Sequence, residues 1–374
     1  MLSRAASRAY STTPVKLVSR DAPGNLTTLS VKVNNAGSKA GKIGVAHLLS
    51  KFAFLNTEVK SALRFTRESE LLGGSFSSYV TRDAIVLNTQ FLKQDLPYYV
   101  EALGNTLHKP LFRPHELVET VIPVASAEAA AAHASTEFVA LEHLHELTFR
   151  KGLGNPLYYD SASTVSLDDI KNFASEVYTS GNVSLYASGA DEKDLANFVA
   201  ESAFSALRSG STSAPAVTTH TGKEARFRKS GESTAIIGVP VATKDFAKFE
   251  VLSAAVGTSV LKGAASPLSD IPGADSRLYK YEDAGLFVVS VTGQDATKVA
   301  EGIKAANKVV DGINASALSG AIKAAELSVA LQESFEYPHN IQISADSAKG
   351  GVKLGAFNYV AVGNTDVLPY ADEL

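Results

Sequence analysis

Residues 46–54 read Ala46-His47-Leu48-Leu49-Ser50-Lys51-Phe52-Ala53-Phe54. The apolar side chains of this stretch recur at the spacing of one helical face, which predicts an amphipathic helix. A strand should precede the helix, because residues 26–33 alternate in polarity and are rich in β-branched side chains. Ala36-Gly37-Ser38 marks the turn between the two elements. The stretch therefore predicts a strand–turn–helix unit near the start of the fold.

A glycine break, a hairpin and a group of helices follow this unit. Gly73-Gly74-Ser75 interrupts the helical pattern, and Arg82-Asp83 is the tip of a predicted hairpin. Pro114 opens a later helix, at the first turn, where its missing N–H is not needed. The remaining predicted elements are strands at 76–81, 84–90 and 183–188 and helices at 94–108, 124–148 and 192–207.

The second half of the chain repeats this order of elements. It has predicted strands at 234–241, 286–292 and 357–362 and predicted helices at 246–260, 296–310 and 315–332. A short last helix is expected at 366–374. Self-similarity on this scale indicates duplication of a whole domain. Strands grouped between runs of helices predict an α+β fold, with two homologous domains that each have a mixed, largely antiparallel sheet covered by helices.

Composition divides the chain into four segments. Residues 209–223 are rich in serine and threonine and have little to bury, so they are predicted to be a linker. The N-terminal domain is then 17–208 and the C-terminal domain 224–374. Residues 1–16 are predicted to be a mitochondrial transit peptide, because the chain has arginines, many small and hydroxylated residues and no acid before Asp21. Arg8-Ala9-Tyr10-Ser11 resembles a fungal presequence cleavage site.

Charge and cysteine content exclude several classes of function. The net charge of the 374 residues is −4, which gives no basic stripe for nucleic acid. The chain has 0 cysteines, so it can form neither disulfides nor thiolate metal sites, and it cannot ligate an iron–sulfur cluster through cysteine. No apolar run approaches the roughly 18 residues of a membrane-spanning helix. Any association with a membrane should therefore occur through partner proteins.

The chain resembles the mitochondrial processing peptidase family of inverzincins over residues 17–374. The specific pieces are 46–54, the turn Gly73-Gly74-Ser75-Phe76 and Glu142-His143-Leu144-His145. Active inverzincins have H-x-x-E-H on a helix, with two histidine ligands and a glutamate as the base. In this sequence Ser50 stands at the position of the base and Lys51 at that of the second ligand.

The resemblance therefore implies a degenerate zinc site. A further glutamate completes the metal site in active members, and Glu128 falls near that position, with Ala125 as the alternative if the register differs by a few residues. His47 and Glu128 would offer two ligands at most, whereas a catalytic zinc needs three. We therefore expect no catalytic residue, no metal and no cofactor, and we interpret His47 as an ordinary, partly buried helix residue.

Two other stretches carry weaker signals. Glu142-His143-Leu144-His145-Glu146 has metal-binding residue types, but two histidines two positions apart on a helix point in different directions, and a solvated helix face is favoured. The non-catalytic α-type subunits of the peptidase have a glycine-rich loop in their second half. Residues 263–273 lack that pattern, because Ala264, Ala265 and Ser266 follow Gly263.

Two mitochondrial functions fit a family member without zinc ligands. One is the non-catalytic α-type subunit of a processing peptidase. The other is a core protein of the cytochrome bc1 complex, whose core proteins are similar to the peptidase subunits, and the length of the chain and the loop without its glycines favour this one. The implied partners are a homologous core protein, cytochrome b, cytochrome c1, the Rieske protein and small subunits of a dimeric complex, on the matrix side of the inner membrane. An active peptidase with an unusual site is a third hypothesis.

Overall fold

The computed structural model describes residues 15–213, 216–261, 263–332, 341–348 and 354–374. The chain divides into two compact units, which are Met1–Ala129 with Pro156–Pro215, and Ala130–Asn155 with Ala216–Leu374. The segment Ala130–Asn155 was assigned to the first domain, 17–208, by its position in the sequence, and this assignment is wrong because the segment belongs to the second unit. Most of the predicted transit peptide, 1–16, lies outside the described residues, but Lys16 already begins a strand.

The first unit contains a sheet of five strands. They are β1 (Lys16–Arg20), β2 (Leu26–Asn34), β3 (Ser75–Val80), β4 (Ala84–Leu92) and β5 (Val183–Ser188). Their order in the sheet is β1-β5-β2-β4-β3. The pair β1 and β5 is parallel, and the other neighbours are antiparallel. The predicted hairpin is therefore β3–β4, and the strand predicted at 26–33 is the central β2.

The second unit repeats this sheet. Its strands are β6 (Glu224–Arg228), β7 (Ser233–Val241), β8 (Ala274–Lys280), β9 (Gly285–Gly293) and β10 (Asn358–Gly363). Their order, β6-β10-β7-β9-β8, has the same topology and the same single parallel pair as the first sheet. The predicted α+β fold, with two duplicated domains and mixed, largely antiparallel sheets, is confirmed. The edge strands β1, β6 and β8 were not predicted. The first two have five residues each, too few to establish an alternating pattern, and β8 buries only Ser276 and Leu278.

The helices in the first part of the chain connect or follow the strands of the first sheet. They are α1 (Val45–Phe52), α2 (Ala62–Leu71), α3 (Leu96–His108), α4 (Pro114–Glu116), α5 (Ile122–Ala134), α7 (Leu167–Val177) and α8 (Glu192–Glu201). Helix α6 (Thr136–Phe149) lies between α5 and α7 in the sequence and belongs to the second unit. A π-helical turn, Leu117–Val121, joins α4 to α5. The helices α2 and α7 were not predicted. In α2 only Phe65 and Ser69 are buried, so its apolar stripe is weak, whereas α7 has a capping box at Ser166 that was a readable signal.

The prediction of a single helix at 124–148 is wrong, because the helix is interrupted at Ser135 between α5 and α6. The Ser135 side chain accepts a hydrogen bond from the Phe138 N–H and so caps α6. Serine favours this capping geometry over a helix interior. The alanines on both sides have high helix propensity, which makes the break difficult to recognise from the sequence.

The second unit contributes α9 (Phe246–Val256), α10 (Ala296–Asp311), α11 (Ala315–Gly320) and α12 (Ile322–Gln332). The helix predicted at 246–260 ends early because Gly257 adopts a φ of 125°, which stops helical propagation. The helix predicted at 315–332 is divided at Ala321 into α11 and α12. The predicted terminal helix, 366–374, is wrong, since this stretch contains only a 3₁₀ turn, Ala371–Glu373. Among the helices of the described ranges, none is both long and apolar enough to cross a bilayer.

The second sheet is buried on both faces. Ile236, Val360 and Val362 pack against α6 in one core cluster. Their neighbours along the strands, such as Ala235 and Ala361, pack with α9 and α10 in another. Burial on both faces explains why β7, β9 and β10 have nearly continuous apolar sequences instead of alternating ones.

Gly238 allows α6 to lie close to this sheet. A Cβ atom on Gly238 would lie 2.6 to 2.9 Å from side-chain atoms of Leu144, which is fully buried. We expect Gly238→Ala to lower the free energy of unfolding by about 1–3 kcal/mol, because the extra methyl group overpacks the interface. Chemical denaturation of the full chain would measure this change.

Gly320→Ala is the matched control, because a Cβ atom there meets open space at the end of α11. Its effect should stay within about 0.5 kcal/mol. Leu144→Ala combined with Gly238→Ala should be less destabilising than the sum of the two single changes. Strict additivity would contradict the contact between Gly238 and Leu144.

Candidate functional site

Helices α1 and α5 bring together three of the residues selected from the sequence. His47 and Lys51 are four residues apart on α1, so both side chains project from the same face. Glu128 lies on α5 and points toward that face. Its Oε2 atom is 2.8 Å from His47 Nε2 and 2.5 Å from Lys51 Nζ. Glu128 therefore faces His47 and Lys51, whereas Ala125 is fully buried.

The hydrogen bonds of His47 define its tautomer. The backbone N–H of Tyr159 donates to Nδ1 over 3.0 Å, so Nδ1 carries a lone pair. In the neutral ring the proton is then on Nε2, which donates to Glu128. Burial lowers the pKa of His47 below its ordinary value, although the hydrogen bond to Glu128 opposes this shift. The prediction of a partly buried residue is wrong, because His47 is 0% exposed and both of its ring nitrogens are engaged.

The carboxylate of Glu128 is stabilised in its ionised form. Burial on its own would raise the pKa of Glu128, but the hydrogen bonds from Lys51 and His47 outweigh burial and hold the pKa below its ordinary value. The Lys51 side chain is 11% exposed, and its Nζ also contacts the backbone oxygen of Ser78 at 3.4 Å. The ammonium group is therefore the counter-charge of Glu128.

Ser50 is buried, and its hydroxyl group forms a hydrogen bond within α1. Its hydroxyl donates to the backbone oxygen of His47 over 2.7 Å, and its own backbone oxygen accepts from Ser78 Oγ at 2.6 Å. The side chain is fully buried. A hydroxyl held against a helix carbonyl cannot act as the general base that a glutamate at this position would provide.

This donor set does not suit a metal ion. A lysine ammonium has no lone pair to donate, and it repels a cation. His47 and Glu128 leave the cluster one ligand short of a catalytic zinc site. In the part of the chain that the structure describes, there is no group of three or more histidine, cysteine, aspartate or glutamate side chains placed to hold a metal.

The histidines of α6 are separated as their spacing predicts. The ring of His143 stacks on Phe227 with a centroid distance of 3.7 Å, and its Nδ1 lies 3.0 Å from Glu146. His145 is buried, with Nε2 at 2.6 Å from the Tyr281 hydroxyl. These contacts attach α6 to the second sheet and leave no pair of histidines facing one ligand.

Sequence reasoning did not identify Ser78 or Tyr159 as members of the cluster. Tyr159 contributes only a backbone N–H, which no side-chain motif reports. It lies 112 positions from His47, so no local spacing could indicate the contact. The ring of the neighbouring Tyr158 also approaches the imidazole of His47, with a centroid distance of 4.8 Å.

Comparison with known proteins identifies the family of the chain. Residues 17–161 match the family model described as insulinase, peptidase family M16, and residues 164–322 match the model described as the peptidase M16 inactive domain. The chain is 63% identical to the protein named cytochrome b-c1 complex subunit 2, mitochondrial, of Debaryomyces hansenii, over 100% of both chains. The chain belongs to the cytochrome b-c1 complex subunit 2 branch of peptidase family M16. The predicted likeness to a core protein of the bc1 complex is therefore confirmed.

A second curated relative supports the assignment, and a solved structure supports the fold. The Saccharomyces cerevisiae protein of the same name is 45% identical over 95% of this chain and 94% of its own length. Among solved structures, a peptidase M16 inactive domain from Pseudomonas fluorescens superposes with a TM-score of 0.78, covering 97% of this chain and 99% of its own. Because the sequence identity to that structure is 15%, it supports the fold alone.

The buried imidazole should make the stability of the chain depend on pH. The lowered pKa of His47 means that the unfolded chain binds a proton more readily than the folded chain does. Its contribution to stability is complete above the unfolded pKa of about 6.5 and is lost as the pH falls through the lower folded pKa. Glu128 stays ionised in this pH window. Lys51, which is on α1 with His47, faces the Glu128 carboxylate.

We therefore expect the melting temperature of the wild-type chain to fall more between pH 7.5 and pH 5.5 than that of the His47→Gln variant. Differential scanning fluorimetry at the two pH values would measure this difference. His115→Gln, at an exposed position on α4, is the control and should behave as the wild type does. An equal pH dependence in wild type and His47→Gln would show that His47 is not responsible.

Proposed function

We propose that this chain is the structural core protein 2 of the mitochondrial cytochrome bc1 complex, with no redox or peptidase chemistry of its own. The observation that carries the proposal is the 63% identity, over the full length of both chains, to a protein named cytochrome b-c1 complex subunit 2. In this role the chain supports the assembly and stability of a complex that transfers electrons from ubiquinol to cytochrome c.

The chemistry of the cluster supports a non-catalytic role. The Lys51 ammonium contacts the carboxylate of Glu128, where a peptidase would need a zinc ligand. Ser50 uses its hydroxyl within α1, so position 50 supplies no base to activate water. With 0 cysteines the chain also lacks the usual ligands of an iron–sulfur cluster. The loss of the zinc motif is part of this proposal.

The proposed partners and location follow from the same assignment. The chain would bind core protein 1, cytochrome b, cytochrome c1, the Rieske protein and small subunits, and it would lie peripherally on the matrix side of the inner membrane. The relatives are named as mitochondrial proteins, and the arginine-containing N-terminus without acids has the composition of a transit peptide. Large apolar side chains exposed on α2 and α12, such as Leu71 and Leu331, offer contact surface for partners.

Native electrophoresis would test the assignment. We expect the chain to migrate with haem-containing subunits in blue-native gels of mitochondria solubilised in mild detergent, because obligate subunits share large apolar interfaces. Haem staining and an antibody against the chain would detect the same band. If the chain migrated only with a soluble peptidase partner, the α-type processing-peptidase subunit would be the correct assignment instead.

Metal analysis would test the loss of the zinc site. The purified wild-type chain should hold far less than one zinc per chain after dialysis. Lys51→His should increase zinc binding, because it replaces the ammonium by a third ligand close to His47 and Glu128. Ser50→Glu, which adds a base but leaves Lys51 in place, is the control and should not gain zinc. About one chelator-sensitive zinc in the wild type, together with presequence cleavage, would refute the proposal.

A further inference from the structure

The His47 cluster lies where the chain passes between its two units. The chain leaves the first unit after Ala129, inside α5, and it returns at Pro156. Glu128 is the last residue but one before the first passage, and Tyr159 is the fourth residue after the second. The excursion between these two points, Ala130–Asn155, contains α6, which covers one face of the second sheet.

One imidazole ring joins the two ends of this excursion. His47 Nε2 donates to Glu128 on the outgoing side, and His47 Nδ1 accepts from the Tyr159 N–H on the returning side. Both contacts depend on the neutral tautomer, and burial of His47 favours the neutral ring. The two ends are therefore held by opposite edges of a single side chain.

Two further contacts strengthen the attachment. Lys51 contacts the same Oε2 atom of Glu128, so α1 holds the outgoing end by two side chains. On the returning side, the Tyr159 ring packs against the start of α1. A Cβ atom on Gly44 would lie 2.7 Å from Cδ2 of Tyr159, and Gly44 also has a φ of 83°. The returning chain therefore lies against α1 at a position that only a glycine accommodates.

We propose that His47, Lys51, Glu128 and the backbone of Tyr159 form a clasp that fixes both ends of the excursion Ala130–Asn155. Helix α1 is the common support, and His47 is the residue that couples the outgoing end to the returning end. The cluster is retained for positioning, since a partly buried network in which both ring nitrogens of His47 are engaged tolerates few alternative arrangements. This inference goes beyond the proposed function and does not depend on which assembly the chain enters.

The second unit provides a matched control at the corresponding helix. Lys280 Nζ contacts Glu250 Oε1 on α9 at 2.7 Å and Gln332 Oε1 on α12 at 3.0 Å. This ion pair is also buried, with side chains 10% and 1% exposed. None of the three residues adjoins a passage of the chain between units. Removing this pair should therefore destabilise its surroundings without releasing the excursion.

Hydrogen exchange measured by mass spectrometry on the purified full-length chain tests the clasp. The decisive variant is Glu128→Gln, which removes the charge but keeps the size of the side chain. We expect amide exchange to become about tenfold faster in residues 122–134 and also in 156–166, because loss of the carboxylate weakens the restraint on His47 and through it on Tyr159. Peptides from β2 and β4 should exchange as in the wild type.

Two other variants complete the experiment. Lys51→Met should have the same effect with a larger amplitude, since it leaves Glu128 without its counter-charge. Lys280→Met should leave residues 122–134 and 156–166 unchanged. If Lys51→Met does not fold, Glu128→Gln remains decisive. Its amide oxygen can still accept a hydrogen bond from His47, so the variant should fold, but this bond is weaker than the bond to a carboxylate.

Three results would overturn the clasp. In the first, Glu128→Gln accelerates exchange in 122–134 but not in 156–166, which would mean that His47 does not couple the two ends. In the second, Lys280→Met accelerates both segments equally, which would indicate general destabilisation. In the third, Glu128→Gln changes neither segment. A chain that fails the blue-native test can still pass this one, so the two proposals fail separately.

Discussion

The carboxylate of Glu128, on α5, and the ammonium of Lys51, on α1, meet at 2.5 Å, and this ion pair joins the two helices in the first unit. Each charge would be costly to bury by itself, and their attraction compensates for desolvation only when the geometry is close. His47 adds a hydrogen bond to the same carboxylate oxygen, so one charged and one polar contact converge on this atom. On the same helix, the apolar residues Leu48 and Leu49 are fully buried in the core of the first unit.

The same cluster shows how side chains alone can join α1 and α5 in a peptidase-like fold. A catalytic metal is a structural element as well as a reagent, because it holds its ligands together. In this chain the ammonium group of Lys51 provides the positive charge, and it belongs to a side chain of α1. Ser50 turns its hydroxyl to the helix backbone, which leaves no polar group of that residue in need of a partner. The site has therefore become part of the support of the fold.

The secondary structure was predictable where local patterns are strong. The central strands β2, β4, β7 and β9 were recognised, because eight or nine residues of regular pattern leave little ambiguity. The edge strands β1 and β6 were missed because they are short and partly exposed. The break at Ser135 was also missed, since it depends on a cap whose value is about 1 kcal/mol against strong alanine propensity on both sides.

The amino-acid sequence by itself determined the α+β class, the duplication and the absence of a complete zinc motif, because each of these depends on local pattern or on residue identity alone. Only the tertiary structure decided that Glu128 rather than Ala125 faces His47, that Tyr159 completes the cluster, and that α6 covers the second sheet. The physical reason is distance along the chain. Contacts between residues 81 and 112 positions apart are determined by how helices pack on a sheet, and no short motif records that packing.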